Sequence, residues 1–348
     1  MARRFLFVGL GGVGQRHVRN MRRLLGDEAE FLAYRQQRSS LVLTNEMEVE
    51  RGSDLESKYR LRVFVDLDEA LAERPEAVII SNPTSLHLGV ARAAAEAGCH
   101  LFIEKPLAHE MKGVNDLLDL IESKKLVTLV GYQWRFHPCL LALRDVLQAN
   151  TIGHVIAVRA RFGEYLPNWH SYEDYRQSYA ARRELGGGVL LTQIHDFDYL
   201  GWLFGWPRRL FCVGGKLSNL EIDVEDTAST LMECEVEGRS VPIHLQQDYL
   251  TNPGERSCEV VGERGKVSAN LADAILQVWT GDGKLESQRF DMIERNQIFL
   301  EELKHFLACL DGTETSRVTA HEGARSLRVA LAARESMTTG KIVACDVA

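Results

Sequence analysis

The chain has 348 residues, enough for about two domains, and its 45% apolar content is that of an ordinary globular protein. A net charge of −8 without any lysine and arginine block argues against nucleic acid as a partner, and no run approaches the ~20 apolar residues of a membrane span. The seven cysteines (Cys99, Cys139, Cys212, Cys234, Cys258, Cys309 and Cys345) are scattered and never paired as C-x-x-C, which fits buried thiols in a reducing cytoplasm and not a disulfide frame or zinc site.

"MARRFLFVGLGGVG" has the faint look of a signal peptide, but its apolar run enters a glycine cluster without a small-residue cleavage site. It reads as a buried strand. "EFLAYR", "AVIISNP", "HLFIEKP" and "LVTLVGY" read as further strands, alternating with helical runs such as "LHLGVARAAAEAG", which can cap on Gly98. This alternation predicts a doubly wound parallel sheet over residues 1–130. Residues 39–60 break the rhythm and are expected to form a local excursion.

Gly9-Leu10-Gly11-Gly12-Val13-Gly14 follows the first strand and opens a helix, the arrangement of a Rossmann dinucleotide site. Gly9 permits the tight turn, Gly11 admits a pyrophosphate, and Gly14 lets helix and strand pack closely. The second strand ends at Tyr34-Arg35 with no acid for a ribose 2′-hydroxyl. Arg35, Arg38 and Ser39 suit a 2′-phosphate, so NADP is expected, with NAD the alternative. The competing reading makes these arginines an ordinary solvated loop.

Residues 131–348 follow another pattern. "GHVIAVRARFGEYL", "RLFCVGGKLSNL", "ASTLMECEVEGRSVPIHLQQDYL" and "SCEVVGERGKVSANL" alternate apolar and polar residues between turns. They predict an open antiparallel sheet with helices on one face, an α+β domain beside the α/β one. The helical segment 294–337 is expected to pack back and close the molecule. An open sheet face needs a cover, which predicts a homodimer or homotetramer through residues 150–290.

Within this half, "GGGVLLTQIHDFDYL" places three glycines before a segment carrying His195. On a helical wheel Leu190, Ile194 and Phe197 share one face, and Thr192, His195, Asp196 and Tyr199 the opposite arc. That arc is either a solvated face or, since it lacks Lys, Arg and Glu, a polar wall facing a pocket. The glycines would let backbone approach a cofactor or substrate. Upstream, "YLPNWHSYEDYRQSYAARRELGGG" is rich in aromatics and arginines, including Trp169, Arg176 and Arg182. Such residues stack on sugar rings and fork onto carboxylate or phosphate, unless the loop serves packing or a subunit contact.

"IISNPTSLH" (79–87) and "FIEKPLA" (102–108), taken with the glycine cluster, resemble the glucose–fructose oxidoreductase/inositol dehydrogenase family, Gfo/Idh/MocA. The resemblance implies that Lys105 of Glu104-Lys105-Pro106 stands by the nicotinamide and the substrate hydroxyl, and that Asn82, Pro83 and His87 line the nicotinamide side. "GYQWRFHP" (131–138) resembles the family's joining segment, which would put Gln133 and Arg135 at the pocket rim, with Tyr132 either there or in packing. His195 and Asp198 match its H-x-x-D pattern, whereas Thr192 stands where the family carries an aspartate. His195 then shares proton transfer with Lys105. With Trp169 and Arg176 from the aromatic loop, the expected substrate set is Lys105, Arg135, Trp169, Arg176, Thr192 and His195, and no metal is expected because no second His or Cys falls at ligand spacing.

Independently of the resemblance, a lysine at the carboxyl end of a buried parallel strand points into the ligand crevice of such sheets, and Pro106 stiffens its turn. The plainer alternative is a snorkelling lysine. The expected activity is NAD(P)-dependent hydride transfer at a CH–OH carbon of a sugar, sugar acid, nucleotide sugar or polyol. Two alternatives remain: a permanently bound cofactor used for redox-assisted glycoside cleavage, and a non-catalytic NADP-binding sensor.

Overall fold

Phe5, Leu6, Phe7 and Val8 are each at most 1% exposed because β1 (Arg3–Val8) runs through the middle of a sheet covered on both faces. The computed structural model describes residues 2–35, 41–44, 47–290 and 295–346. After β1 come α1 (Gly12–Leu25) and β2 (Ala29–Tyr34). The expected excursion is a small hairpin, β3 (Val42–Leu43) and β4 (Val49–Glu50), with the short α2 (Leu55–Tyr59). It feeds β5 (Leu61–Phe64), an edge strand that the sequence reading missed because only its first residue is buried. There follow α3 (Leu67–Ala72), β6 (Ala77–Ile80), α4 (His87–Glu96), β7 (His100–Ile103), α5 (Val114–Ser123) and β8 (Thr128–Val130).

These strands form a six-stranded parallel sheet in the order β5-β2-β1-β6-β7-β8. Strand order reverses between β1 and β6, and ligands of such sheets bind outside the carboxyl ends at that point. The glycine turn, the Asn82 loop and the Lys105 turn all leave from carboxyl ends there.

After α6 (Pro138–Gln148), the chain builds β9 (Val155–Gly163), α7 (Val189–Thr192), α8 (His195–Phe204), β10 (Pro207–Gly215), β11 (Thr227–Val236) and β12 (Arg239–Asp248). Then come β13 (Glu255–Gly262), β14 (Gly265–Asn270), β15 (Ile275–Thr280) and β16 (Leu285–Arg289). The last elements are α9 (Arg295–Leu310), α10 (Ala320–Thr339) and β17 (Val343–Ala344). The nine-stranded sheet runs β16-β15-β14-β13-β9-β12-β11-β10-β17 and is antiparallel except where β9 and β12 pair in parallel. The chain leaves β9 through two helices and returns by the β10–β11 hairpin, so β12 enters alongside β9 in the same direction. Alternation along a strand cannot reveal that pairing.

Val158, Ala160, Ile243, Leu245, Cys258 and Val260 fill the inner face of this sheet. α10 packs there against β10 and α8. α9 returns to α1, where Asn20 and Asn296 exchange two side-chain hydrogen bonds at 2.9–3.0 Å. Among the described residues no helix is long and apolar enough to cross a membrane.

Candidate active site

Gly9 has a φ of +87°, and a Cβ there would collide with the Asn82 backbone; one on Gly14 would strike the Gly9 carbonyl. Gly11 differs, because nothing lies within 4 Å of the space its Cβ would fill. That space opens at the N-terminus of α1, whose first turn contains no acid and offers the N–H groups of Gly12, Val13 and Gly14. A bare helix terminus beside an open cradle suits a pyrophosphate, so the residues fit a dinucleotide. Across the turn, the Tyr172 hydroxyl and the Met47 methyl cover Gly12.

Arg35 is 8% exposed, with its guanidinium 3.7 Å from Glu56 of α2. Arg38 and Ser39 lie outside the described residues.

His87 opens α4. One ring nitrogen is 2.8 Å from the Pro106 carbonyl and the other 2.8 Å from that of Asn82. Burial pulls its pKa below the usual imidazole range against the pull of those carbonyls, so the neutral ring donates to one of them. Expected to line the cofactor, His87 is instead an internal tie between the Asn82 loop and the Lys105-Pro106 turn. Pro83 starts the short helical turn between them, and the Asn82 side-chain oxygen, though buried, has no partner among the described residues. Glu104 likewise turns to the interior, where its carboxylate meets the buried His17 of α1.

Lys105 brings the two halves of the chain together. Its ammonium donates to the Thr192 carbonyl at 2.7 Å. The Thr192 hydroxyl lies 2.8 Å from the Gly188 carbonyl and shares a short hydrogen bond with the Tyr249 hydroxyl. Tyr249 is wholly buried and meets the Trp169 ring edge-on at 5.4 Å. The indole N–H of Trp169 is buried without a partner among the described residues. The ring lines a small cavity with His170, Tyr175 and Tyr179.

His195 follows three residues after Thr192, is 5% exposed, and meets Tyr132 edge-on at 5.6 Å. Its Nδ1 has no partner among the described residues. Burial, then the charges of Lys105 and Arg256, hold its pKa well below the usual range. A neutral imidazole beside a lysine ammonium can accept a proton that the ammonium steers or returns.

The single helix assumed for the wheel does not exist. The Gln193 carbonyl accepts from the Gln247 amide at 2.7 Å, and the chain breaks there into α7 and α8. Thr192, His195, Asp196 and Tyr199 are all buried, so the arc lacks Lys and Glu because it is interior. Asp196 pairs with Arg256 at 3.2 Å, and that guanidinium lies 3.5 Å from the Phe162 ring centre and 4.2 Å from that of Trp134. The positions that a Cβ would take on the three glycines are filled by protein. Gly186 packs on Thr84 and His109, Gly187 on the carbonyls of Tyr179, Ala180 and Arg182, and Gly188, at φ +105°, on Glu225.

Two arginines leave the expected substrate set. Arg135 is 3% exposed and forks onto Asp198 at 2.7 and 2.8 Å, with Glu322 and the Arg317 carbonyl each at 3.0 Å. A buried guanidinium needs such partners, and meeting that need takes it from the rim. The motif aspartate Asp198 is the other half of this pair. Arg176 is exposed and spread over Asp174 and Glu221. Sequence reasoning missed His17, which stands on α1 just beyond the glycine cluster, and Tyr249 and Arg256, which reach the site through packing of distant segments.

Residues 3–132 match the profile described as "Oxidoreductase family, NAD-binding Rossmann fold", and residues 140–268 that of the "GFO/IDH/MocA C-terminal domain". The chain therefore belongs to the Gfo/Idh/MocA oxidoreductases and binds NAD(P) through its Rossmann sheet. It is 25% identical to a myo-inositol 2-dehydrogenase of Thermotoga maritima, over 95% of each chain. With a D-xylose 1-dehydrogenase (NADP(+)) of Haloferax volcanii it shares 24% identity, over 98% of this chain and 99% of the other. Among solved structures, the WlbA dehydrogenase of Bordetella pertussis, in complex with NADH and UDP-GlcNAcA, superposes with a TM-score of 0.78 at 21% identity over 99% of both chains.

Proposed function

We propose that the chain is an NADP-dependent dehydrogenase or reductase acting on a CH–OH carbon of a sugar, sugar acid, nucleotide sugar or polyol. The observation that carries this reading is the Lys105–Thr192 hydrogen bond, which sets an ammonium at the carboxyl end of β7 beside the neutral His195. When bound, nicotinamide supplies the hydride acceptor or donor, so oxidation of the carbinol sends a hydride to it and a proton to the protein. Lys105 holds the substrate oxygen and His195 takes or returns the proton. The Thr192 hydroxyl orients without carrying the proton, since it cannot ionise at neutral pH, and the Trp169 indole offers a donor and an apolar face to a sugar ring. Arg35, Arg38 and Ser39 favour NADP, and the named cofactor of the xylose relative agrees; Glu56, which already meets Arg35, leaves more of the 2′-phosphate to Arg38.

The chain is read as a cofactor domain, 1–130, and a substrate domain, 131–348, acting in the cytoplasm. The outer face of the nine-stranded sheet is read as a self-association surface giving a dimer or tetramer.

Replacing Lys105 with Met or His195 with Ala tests the assignment. Each should lower kcat by ~10²–10⁴, the usual worth of a positioned acid or base, while NADP affinity stays essentially unchanged. The two losses should be strongly non-additive, since the groups share one task. A folded His195→Ala enzyme with full turnover would make His195 a packing residue.

A further inference from the structure

Lys105 is gripped at both ends. Its ammonium is held by Thr192, and its backbone N–H donates to Glu104 Oε2 at 3.2 Å. The other oxygen of that carboxylate, Oε1, lies 2.6 Å from Nε2 of His17. His17 has no exposed surface, Glu104 is 6% exposed, and Phe102 and Phe299 wall the imidazole at 4.8 and 6.2 Å between ring centres. Gly131 closes the opposite side, where a Cβ would come within 3.1 Å of Glu104 Oε2. The carboxylate is thus held at both oxygens and backed on one side by Gly131. Burial pushes its pKa up, yet the His17 hydrogen bond and the charges of His17 and Lys105 outweigh this and bring it below the usual range, so it is ionised.

His17 stands on α1, three residues beyond Gly14. The helix that presents its N-terminus to the pyrophosphate therefore also carries the ring that fixes the carboxylate under the lysine. We propose that His17 and Glu104 are a positioning couple that sets the backbone of Lys105 and links its placement to the cofactor-bearing helix. The proposal rests on the role assigned to Lys105 above. Neither residue touches the reacting atoms in this account; they act through the lysine, where a displacement of about 1 Å is enough to cost rate.

The test compares Glu104→Leu, Glu104→Gln and His17→Leu in the full-length protein with NADP bound. Lysine acetylation by N-acetoxysuccinimide, followed peptide by peptide, reports on Lys105 against Lys112 and Lys124 as internal references. Turnover of a sugar substrate is measured alongside. Glu104→Leu and His17→Leu should change Lys105 labelling several-fold relative to the references and lower kcat by about tenfold or more, with substrate KM and NADP affinity little altered. Glu104→Gln should restore both readouts, because its amide can still accept from the Lys105 N–H and hydrogen-bond the His17 ring. The double Leu variant should be no worse than the worse single one. If Glu104→Leu does not fold, His17→Leu and Glu104→Gln carry the same test. Unchanged Lys105 labelling and kcat in a folded Leu variant, or a Gln variant as impaired as Leu, overturns the proposal. Failure of the underlying reading shows separately, as full turnover by Lys105→Met.

Discussion

Glu302 on α9 has no exposed surface, and neither carboxyl oxygen has a hydrogen-bond partner among the described residues. Burial first, then the negative charges of Glu104 and Asp198, push its pKa well above the carboxylate range. In the unfolded chain the same group ionises near pH ~4.3. Above that pH the native state holds a proton that the unfolded state has released, so stability falls as pH rises toward the folded value. Glu302→Gln cannot ionise and removes this loss. Its Tm should exceed that of the wild type at about pH 8 and match it at about pH 4; an equal shift at both would contradict the protonated assignment. At this scale the sequence disclosed residues whose meaning is local. The glycine cluster and Lys105 stand in motifs that carry their own geometry, so the sequence singles them out. Tyr249, one residue past β12, and Arg256 on β13 are inward residues like many others, and nothing nearby in the sequence tells them from core. Arg135 misled because a charged residue in a motif suggests a ligand, whereas its ligand is the buried Asp198.

Among the elements, strands and helices followed from apolar periodicity almost throughout, because each buries a regular face. One exception is β5, with only its first residue buried; two others share a cause. The break between α7 and α8 depends on Gln247, and the parallel pairing of β12 with β9 depends on the path of the chain between them; both are tertiary facts. The outer face of the nine-stranded sheet presents Phe211, Val213, Leu231 and Val261, each 36–53% exposed. Contiguous apolar surface of this kind marks an association site more often than free surface. Light scattering at micromolar concentration should give a dimer or tetramer, and Leu231→Arg should shift it toward monomer while leaving the fold intact. A monomeric wild-type protein would contradict the proposed self-association.

For the whole molecule, the two sheets meet where the catalytic apparatus is proposed. The parallel sheet delivers the glycine turn, the Asn82 loop and Lys105 to one crevice. The mixed sheet and its helices deliver Thr192 and His195 to the same place, and α9 fastens the assembly beneath. The two kinds of sheet could be read from the change of rhythm after about residue 150, but the closing of the glycine run on Thr84, His109 and Glu225 could not, since a glycine does not say what will approach it. Hydride transfer between nicotinamide and a sugar-type carbinol, assisted by Lys105, is tested by mixing the protein with NADP+ and, in turn, myo-inositol, D-xylose and a UDP-sugar acid. Reduced nicotinamide and the carbonyl product are measured together. One substrate class should yield the two in equal amounts, and Lys105→Met should slow the formation of both together by ~10²–10⁴. No hydride exchange with any class, or sugar cleavage without net reduction of nicotinamide, would contradict the proposed hydride transfer.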